Sequence, residues 1–326
     1  MTELNNTIIE MINNNRSLNE ICKKTNLSSK QLFYRLYLLK LKGYNFNKKY
    51  YYNGDIRYKI NTNIENDNKK VLITDKSNTN FKSILISDLH LSNNKERIDL
   101  LNLVYEYAIS NNYNIIMNAG DIIDGLIGNV SSKKYSDINK QIEYALKVYP
   151  YDKNIINFIC FGNHDYDAFI KTGLSIETVM DIKRHDLVSL GYGYGNLYIK
   201  NDEITMIHPK CVKFPEDIYD KGLIIVGHTH NVGYKENGYG RIIQINSLSN
   251  VIGKFPPGFM TINSIFTNGI LGKSIIESYL YINDSFIKTS EYSCDLSLGK
   301  NVSRKDIQNV EDFNVLIKKK SKRCNK

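Results

Sequence analysis

Side chains of the kinds that bind metal ions occur in five short blocks of this sequence. In chain order the blocks are Asp88-Leu-His90, Gly120-Asp121-Ile-Ile-Asp124, Gly162-Asn163-His164-Asp165, the single His208, and Gly227-His228-Thr-His230. Five of the six histidines lie in these blocks, and only His185 lies outside them. Carboxylate oxygens, an amide oxygen and imidazole nitrogens form a mixed ligand set that suits manganese, iron or zinc better than calcium. The blocks therefore predict a metal centre built from distant parts of the chain.

Two of the blocks hold a pair of candidate ligands separated by one residue. Asp88 and His90 form one pair, and His228 and His230 form the other. In an extended backbone, residues two apart point to the same side, so we expect each pair to face one metal centre. The second, third and fifth blocks each begin with a glycine, which we expect to permit the turn where a buried strand ends at the site.

Each block follows a segment with the pattern of a buried strand. We expect strands at 84–86, 115–117, 155–161, 204–207 and 223–226, with helices at 96–110 and 138–149. Alternating strands and helices predict an α/β domain. Because open α/β sheets bind their ligands at the carboxyl ends of the strands, the blocks lie where a site is expected.

The five blocks, in this order, resemble the signature of the calcineurin-like metallophosphoesterase superfamily over about residues 82–250. The resemblance implies a four-layer α-β-β-α sandwich and an enzyme that hydrolyses phosphoesters with two divalent metal ions. Manganese is the expected metal, with iron or zinc as alternatives. The implied ligands are Asp88, His90 and His230 for one ion, and Asn163, His208 and His228 for the other, with Asp121 bridging the two.

The same resemblance implies two catalytic residues. His164 would contact the phosphate and assist the leaving group, and Asp124 would orient His164. The role of Asp165 stays open between capping the turn and acting in the site. Many relatives have a His-Gly pair at the position of His208, whereas this chain continues as His208-Pro209-Lys210. We interpret Lys210 as a solvated lysine. His185 is interpreted as a structural histidine.

The first 60 residues have a different pattern. Ser17-Leu-Asn-Glu20 and Ser28-Ser-Lys-Gln31 are two capping boxes, which predict the starts of two helices after an initial apolar helix. Aromatic and β-branched segments around Asn53-Gly54 then predict a hairpin. Three helices followed by a hairpin resemble a winged helix-turn-helix module.

The net charge of +9 is unevenly distributed along the chain. Residues 1–60 carry eleven Lys and Arg against four Asp and Glu, whereas residues 61–300 carry 24 against 27. This distribution predicts that the N-terminal module binds DNA. The candidate nucleic-acid-binding residues are Lys30, Arg35, Lys48, Lys49, Arg57 and Lys59. The alternative is a winged-helix fold that serves protein contact or dimerisation.

These patterns divide the chain into four parts. We expect a winged helix-turn-helix-like domain at 1–60, a linker at 61–80 with a candidate strand at 71–74, a metallophosphoesterase domain at 81–298, and a basic tail at 299–326. Strands within 257–290 are expected to complete a second sheet. No apolar run is long enough to span a membrane, and the five cysteines are scattered, so we expect a cytoplasmic protein with reduced thiols.

Two classes of function follow from these parts. The leading hypothesis is a phosphodiesterase or nuclease that acts on nucleic acid or nucleotides and is recruited by the N-terminal module. Within enzymes, the alternative is a phosphomonoesterase acting on a nucleotide or phosphoprotein, with the helical module used for dimerisation. Outside enzymes, the alternative is a DNA-binding regulator with a sensory metallophosphoesterase domain.

Overall fold

The chain folds into helices and two β-sheets. The computed structural model describes residues 2–41, 44–61, 70–74, 79–210, 222–237, 240–251 and 255–297. The predicted tail at 299–326 lies outside the described residues. The described helices are α1 (Thr2–Asn13), α2 (Leu18–Thr25), α3 (Ser29–Leu41), α4 (Ile98–Ser110), α5 (Ile138–Val148), α6 (Asn163–Thr172) and α7 (Ile176–Lys183), with a 3-10 turn at Val130–Ser132.

The described strands confirm the predicted alternation and extend it at both ends. They are β1 (Asn45–Tyr51), β2 (Ile56–Asn61), β3 (Lys70–Ile73), β4 (Asn80–Ile86), β5 (Ile115–Asn118), β6 (Ile156–Phe161), β7 (Leu187–Tyr192), β8 (Tyr194–Ile199), β9 (Asp202–Ile207), β10 (Leu223–Val226), β11 (Gly233–Asn237), β12 (Gly240–Gln244), β13 (Gly258–Thr267), β14 (Ile270–Ile282) and β15 (Ser285–Asp295).

Both predicted capping boxes form. The Ser17 hydroxyl accepts a hydrogen bond from the Glu20 N–H (3.3 Å), and the Glu20 carboxylate accepts one from the Ser17 N–H (2.7 Å). Ser28 and Gln31 make the same reciprocal pair, at 3.3 and 2.9 Å. These bonds satisfy N–H groups that a first helical turn leaves unpaired, which explains why α2 and α3 begin there.

One sheet has seven strands in the order β15-β14-β13-β4-β5-β6-β7. Strands β4 to β7 are parallel, and β13 pairs antiparallel with β4, with Thr261 opposite Ile84. The prediction that residues 257–290 complete a second sheet is therefore wrong. Strand β13 is buried on both faces over its first half, which suits a central position beside β4 rather than an edge.

The other sheet has eight strands in the order β11-β12-β10-β9-β8-β3-β1-β2. The N-terminal hairpin β1-β2 belongs to this sheet, because β3 pairs with β1 on one side and with β8 on the other. Strand β3 lies within 61–80, the segment predicted as a linker. The hairpin is thus joined to the strands that follow it by a continuous ladder of hydrogen bonds.

Alternate residues of the central strands face two separate cores. In β4, Phe81 and Leu85 pack between the sheets, whereas Ile84 and Ile86 pack with the apolar residues of α4 to α7. Helices α1 to α3 contribute to the core between the sheets. The outer face of the eight-stranded sheet carries a small cluster to which no described helix contributes, so the described residues form three of the four expected layers.

The N-terminal helices and hairpin also contact α7 and the short segment that follows it. Phe33 of α3 stacks on His185, with 4.7 Å between ring centroids. Lys48 of β1 pairs with Asp181 of α7, with 2.5 Å between Nζ and Oδ1. His185 is 5 % exposed, which agrees with the structural role predicted for it. Among the described helices, none is both long and apolar enough to cross a membrane.

Candidate metal centre

All five blocks of candidate ligands lie directly after strands. The first three follow β4, β5 and β6, which are parallel neighbours in the seven-stranded sheet, and the last two follow β9 and β10, which are parallel neighbours in the other sheet. Parallel strands end at the same edge of a sheet, so the blocks meet at one end of the two-sheet core.

The two ligand pairs are not extended, contrary to the prediction. Asp88 and His90 have φ angles of 55° and 45°, and His228 and His230 have φ angles of 66° and 50°. Each pair lies beyond the last residue of its strand. Left-handed conformations cost free energy for residues other than glycine and concentrate at functional sites. Asp121 shares this conformation, with φ of 52°.

The first predicted ligand group is brought together. Asp88 Oδ1 lies 3.1 Å from His230 Nε2 and 3.9 Å from His90 Nε2. Asp88 and His90 are 0 % and 2 % exposed, and despite these distances neither Asp88 Oδ1 nor His90 Nε2 makes a hydrogen bond of good geometry to a described residue. Burying such atoms unpaired is costly. A divalent cation held by Asp88 Oδ1 and His90 Nε2 would satisfy both, so these residues fit a metal ion.

The second predicted group also converges. One ligand atom from each of Asp121, His208 and His228 lies within 4.8 Å of the others, and Asn163 Oδ1 is 3.2 Å from His208 Nε2. His208 Nδ1 lies 2.6 Å from the carbonyl oxygen of Ala119, to which it donates. Because a carbonyl only accepts, His208 directs Nε2 towards the other ligands.

Asp121 lies between the two groups. Its Oδ2 is 3.1 Å from His208 Nε2 and 3.8 Å from His90 Nε2, while its Oδ1 accepts a hydrogen bond from the His164 N–H at 2.8 Å. The carboxylate therefore faces one ligand of each group.

The charges of these buried groups compensate one another. Burial opposes protonation of His208, yet the Asp121 carboxylate raises the pKa of His208 to about 9. Burial and the charge of His208 lower the pKa of His228 to about 3. A proton on His208 thus offsets Asp121, and cation binding in this group would displace that proton.

The contacts of Asp124 differ from the role predicted for its side chain. His164 Nδ1 lies 2.6 Å from the main-chain oxygen of Asp124, whereas the Asp124 carboxylate faces His90, with 3.5 Å between Oδ1 and His90 Nδ1. The backbone therefore orients His164, and the carboxylate contacts a candidate ligand instead. Burial opposes ionisation, but His90, Lys133 and Asn93 together lower the pKa of Asp124 to about 2.

Asp165 holds backbone in place. Its carboxylate accepts hydrogen bonds from the N–H groups of Gly162 (2.8 Å), Ile122 (3.1 Å) and Ile123 (3.0 Å). It is 0 % exposed. These bonds tie the loop that carries Asp121 to the start of α6, so Asp165 supports the site without facing it.

Sequence reasoning missed three residues beside the site. The buried ammonium of Lys133 pairs with Asp124 Oδ2, and Asn93 Nδ2 donates to Asp124 Oδ1 at 2.9 Å. The Ser247 hydroxyl donates to the Asp88 carbonyl oxygen at 2.9 Å. No motif contains Lys133, which lies nine positions after Asp124. Lys210 is exposed, as expected of a solvated lysine.

The predicted nucleic-acid-binding residues have mixed surroundings. Lys48 is paired with Asp181 and is 17 % exposed, and Arg57 donates to the Asn15 carbonyl oxygen and covers the ring of Tyr51. Both are engaged within the protein rather than free to contact phosphates. Of the remaining four, Arg35 and Lys49 are half-buried, Lys59 is exposed, and the side chain of Lys30 lies outside the described part.

Residues 81–232 match the family described as calcineurin-like phosphoesterase. The matched segment spans slightly less than half of the chain. The match includes all five ligand blocks, and the chain is accordingly a metal-dependent phosphoester hydrolase with candidate ligands for divalent ions in the described structure. The segments outside 81–232, including the N-terminal helices and hairpin, are not part of the match.

Solved structures of three proteins resemble parts of this chain at low identity. Vacuolar protein sorting 29 from Cryptosporidium parvum is 16% identical, covering 66% of this chain and 100% of its own, with a TM-score of 0.37. The phosphoesterase Yfce from E. coli is 15% identical, with coverages of 66% and 100% and a TM-score of 0.40. Vps29 from Chaetomium thermophilum is 13% identical, with coverages of 66% and 98% and a TM-score of 0.40. No match was found among curated proteins.

Proposed function

We propose that this phosphoesterase hydrolyses phosphodiesters with two divalent metal ions that share Asp121. The observation that carries the proposal is the position of the Asp121 carboxylate, whose Oδ2 faces His208 and His90 at 3.1 and 3.8 Å. Asp88, His90 and His230 would hold one ion, and Asn163, His208 and His228 the other. Manganese suits this mixture of nitrogen and oxygen ligands, as do iron and zinc.

The protein side chains would hold the two metal ions and donate a proton to the leaving group. When bound, a pair of divalent ions supplies an acidified water and positive charge that offsets the charge of the phosphate. The carboxylates of Asp88 and Asp121 accept hydrogen bonds from the main-chain N–H groups of His228 (3.0 Å) and His164 (2.8 Å) respectively. These bonds hold the carboxylates before substrate arrives.

His164 would donate a proton to the departing oxygen. Its Nδ1 faces the Asp124 carbonyl oxygen at 2.6 Å and must carry a proton there, because that oxygen only accepts. Donation from Nε2 therefore requires the doubly protonated imidazolium. His164 lies within 4.8 Å of ligand atoms of His90 and Asp121, which places its ring at the edge of the candidate centre.

We infer that the substrates are diesters of nucleic acid or of nucleotides. This inference is supported by the excess of positive charge in residues 1–60, which would hold a polyanion. Lys49, Lys59, Arg35 and Lys30 are the remaining candidates for phosphate contacts, since Lys48 is paired with Asp181.

The location of the hairpin constrains how a nucleic acid would bind. Gly54 in the hairpin turn packs against the main chain of Asn154, just before β6 begins, whereas the metal centre lies after β6 ends. The hairpin turn therefore lies near the amino end of β6, whereas the candidate ligands lie beyond its carboxyl end. A nucleic acid held by the N-terminal residues would have to extend along the molecule to reach the centre.

A substrate panel tests this proposal. Metal-free protein is reloaded with Mn²⁺ and assayed on bis(4-nitrophenyl) phosphate, 4-nitrophenyl phosphate, a cyclic nucleotide, single-stranded DNA and duplex DNA. We expect diester hydrolysis that depends on the metal and is lost in His228→Ala. Equal activity in that variant would refute the site, and turnover of the monoester alone would refute the diester assignment.

A second candidate is a phosphomonoesterase whose N-terminal helices and hairpin serve structure or dimerisation. It is favoured by the internal contacts of Lys48 and Arg57 and by the ladder from β1 through β3 to β8. Electrophoretic mobility shifts with labelled DNA, together with the molecular mass in solution, separate the two candidates. A dimer without DNA binding supports the second.

A further inference from the structure

A lysine ammonium is buried beside the candidate metal centre. The side chain of Lys133 is 2 % exposed, its Nζ pairs with Asp124 Oδ2, and it donates a hydrogen bond to the Ile127 carbonyl oxygen at 2.7 Å. Burying an ammonium is costly unless it is paired and hydrogen-bonded. Apolar side chains at such a buried position often stabilise a fold as much as an ion pair does. Stability alone therefore does not explain the Lys133–Asp124 pair, which points to a further role.

The two oxygens of the Asp124 carboxylate have different partners. Oδ2 contacts Lys133, while Oδ1 accepts a hydrogen bond from Asn93 Nδ2 (2.9 Å) and lies 3.5 Å from His90 Nδ1. A carboxylate facing Nδ1 favours the tautomer with its proton on that nitrogen. His90 then directs the lone pair of Nε2 towards Asp88 and Asp121, where its ligand atom lies.

Backbone hydrogen bonds hold the segment that contains Lys133 beside the segment that contains Asn93. Lys133 and Asn93 form an antiparallel bridge, the Lys134 N–H donates to the Ser92 carbonyl oxygen at 2.7 Å, and the Asn94 N–H donates to the Ser132 carbonyl oxygen at 2.8 Å. The segment after the 3-10 turn is thus fixed against the segment that follows His90. These backbone hydrogen bonds fix the position of Lys133 relative to Asn93.

We propose that Lys133 is a positioning residue for the metal ion held by Asp88, His90 and His230. It fixes the Asp124 carboxylate, and that carboxylate fixes the tautomer and ring orientation of His90. The inference rests on the two-metal site proposed above. It assigns to Lys133 an effect on one ion of the pair, because His90 is the candidate ligand that the Asp124 carboxylate faces.

Titration of metal-free protein with Mn²⁺, followed by calorimetry and by electron paramagnetic resonance, tests this inference. We expect wild-type protein to bind two ions. Lys133→Met should weaken one of them by up to about 10-fold, the lower end of the range for losing a direct partner of a metal ligand, because Lys133 reaches His90 only through Asp124, and should leave the other unchanged. Lys133→Arg should recover part of the loss, since it keeps the charge but not the shape.

Lys134→Met is the matched control. Lys134 is the adjacent residue and pairs with Glu96, but its side chain is 39 % exposed and it has no contact with Asp124. Its variant should bind both ions as the wild type does. If Lys133→Met fails to fold, the double variant Lys133→Met/Asp124→Asn removes both buried charges and should still show one weakened ion.

The outcomes separate this inference from the proposed function. Two ions bound with wild-type affinities in Lys133→Met, or in the double variant, would overturn the positioning role while leaving the two-metal site intact. Wild-type protein that binds fewer than two ions would overturn the proposed function itself, and the role of Lys133 with it.

Discussion

His164 is held by the main chain of Asp124 and not by its carboxylate. The His164 Nδ1 atom lies 2.6 Å from the Asp124 carbonyl oxygen, while the carboxylate is directed to His90 and Lys133. The side chain at position 124 is thus free to change without releasing His164. The backbone of Asp124 orients His164, and its carboxylate contacts His90.

Replacing His164 should affect substrates according to their leaving groups. An alkoxide needs a proton as it departs, whereas 4-nitrophenolate does not, so His164→Ala should lower kcat about 100-fold or more for an alkyl ester and far less for a 4-nitrophenyl ester. Asp124→Asn should retain the wild-type preference between the two esters because the backbone contact persists. Equal losses on both esters in His164→Ala would contradict proton donation.

Removing the Asp121 carboxylate should weaken the binding of both metal ions. Asp121→Asn keeps the shape of the side chain and removes its charge, so we expect weaker binding of both ions and a loss of kcat of about 100-fold or more. Asp99→Asn is the matched control, since Asp99 pairs with Arg97 at the surface and is 58 % exposed. Calorimetric stoichiometry and diester hydrolysis measure the two effects. Loss of a single ion would argue against bridging.

A methyl group at Gly162 should disturb Asp121. A Cβ atom there would lie 2.1 Å from Asp121 Oδ1 and 2.4 Å from its backbone nitrogen, and neither atom can retreat without moving the loop. Gly162→Ala should therefore lower the free energy of unfolding by about 1–3 kcal/mol and weaken metal binding. In the control Gly233→Ala, the nearest atom is the end of the Gln244 side chain at 3.5 Å, and little change is expected. Urea denaturation provides the measurement.

His185 is buried where charged groups act on it from several sides. Burial, together with the charges of Lys48 and Arg184, lowers the pKa of His185 to about 4, against the opposing charges of Asp186 and Asp181. Neither ring nitrogen has a hydrogen-bond partner among the residues that the structure describes. The folded protein therefore holds this ring neutral against α3.

Acidification should destabilise the protein partly through this ring. Between the unfolded pKa of about 6.5 and the folded value of about 4, the unfolded chain takes up a proton that the folded chain does not. His185 therefore contributes stability above pH 6.5 that is lost as the pH falls to 4, up to about 3 kcal/mol. His185→Phe should remove this part of the pH dependence, measured by urea denaturation across that range. An unaltered dependence would show that the ring does not contribute.

Two lysines of the hairpin should behave differently. Lys48→Ala breaks the pair with Asp181, so it should cost up to about 1 kcal/mol of stability and leave DNA affinity unchanged. Lys59→Ala alters an exposed residue of β2 and should weaken DNA binding and reduce its salt dependence. Fluorescence anisotropy at several salt concentrations measures the second effect. If neither variant changes DNA affinity, the hairpin is not the binding surface.

Much of the fold was predictable because its signals are local. The capping boxes at Ser17 and Ser28 and the apolar strands before each ligand block depend on near neighbours along the chain, and their elements begin within a few residues of the predicted positions. Sheet membership was not predictable in the same way. Strand β13 beside β4, and β3 between β1 and β8, depend on pairings between distant segments that no local pattern specifies.

The same division applies to the metal centre. The sequence by itself restricted the candidate ligands to a few residue types in ordered blocks, and the resemblance of those blocks to the calcineurin-like superfamily implied which seven side chains they are. The tertiary structure decided how they converge, through left-handed residues beyond the strand ends. It also decided that the Asp124 carboxylate contacts His90 and Lys133. Contacts between buried charged side chains from different segments follow no periodic pattern, so the sequence could not predict them.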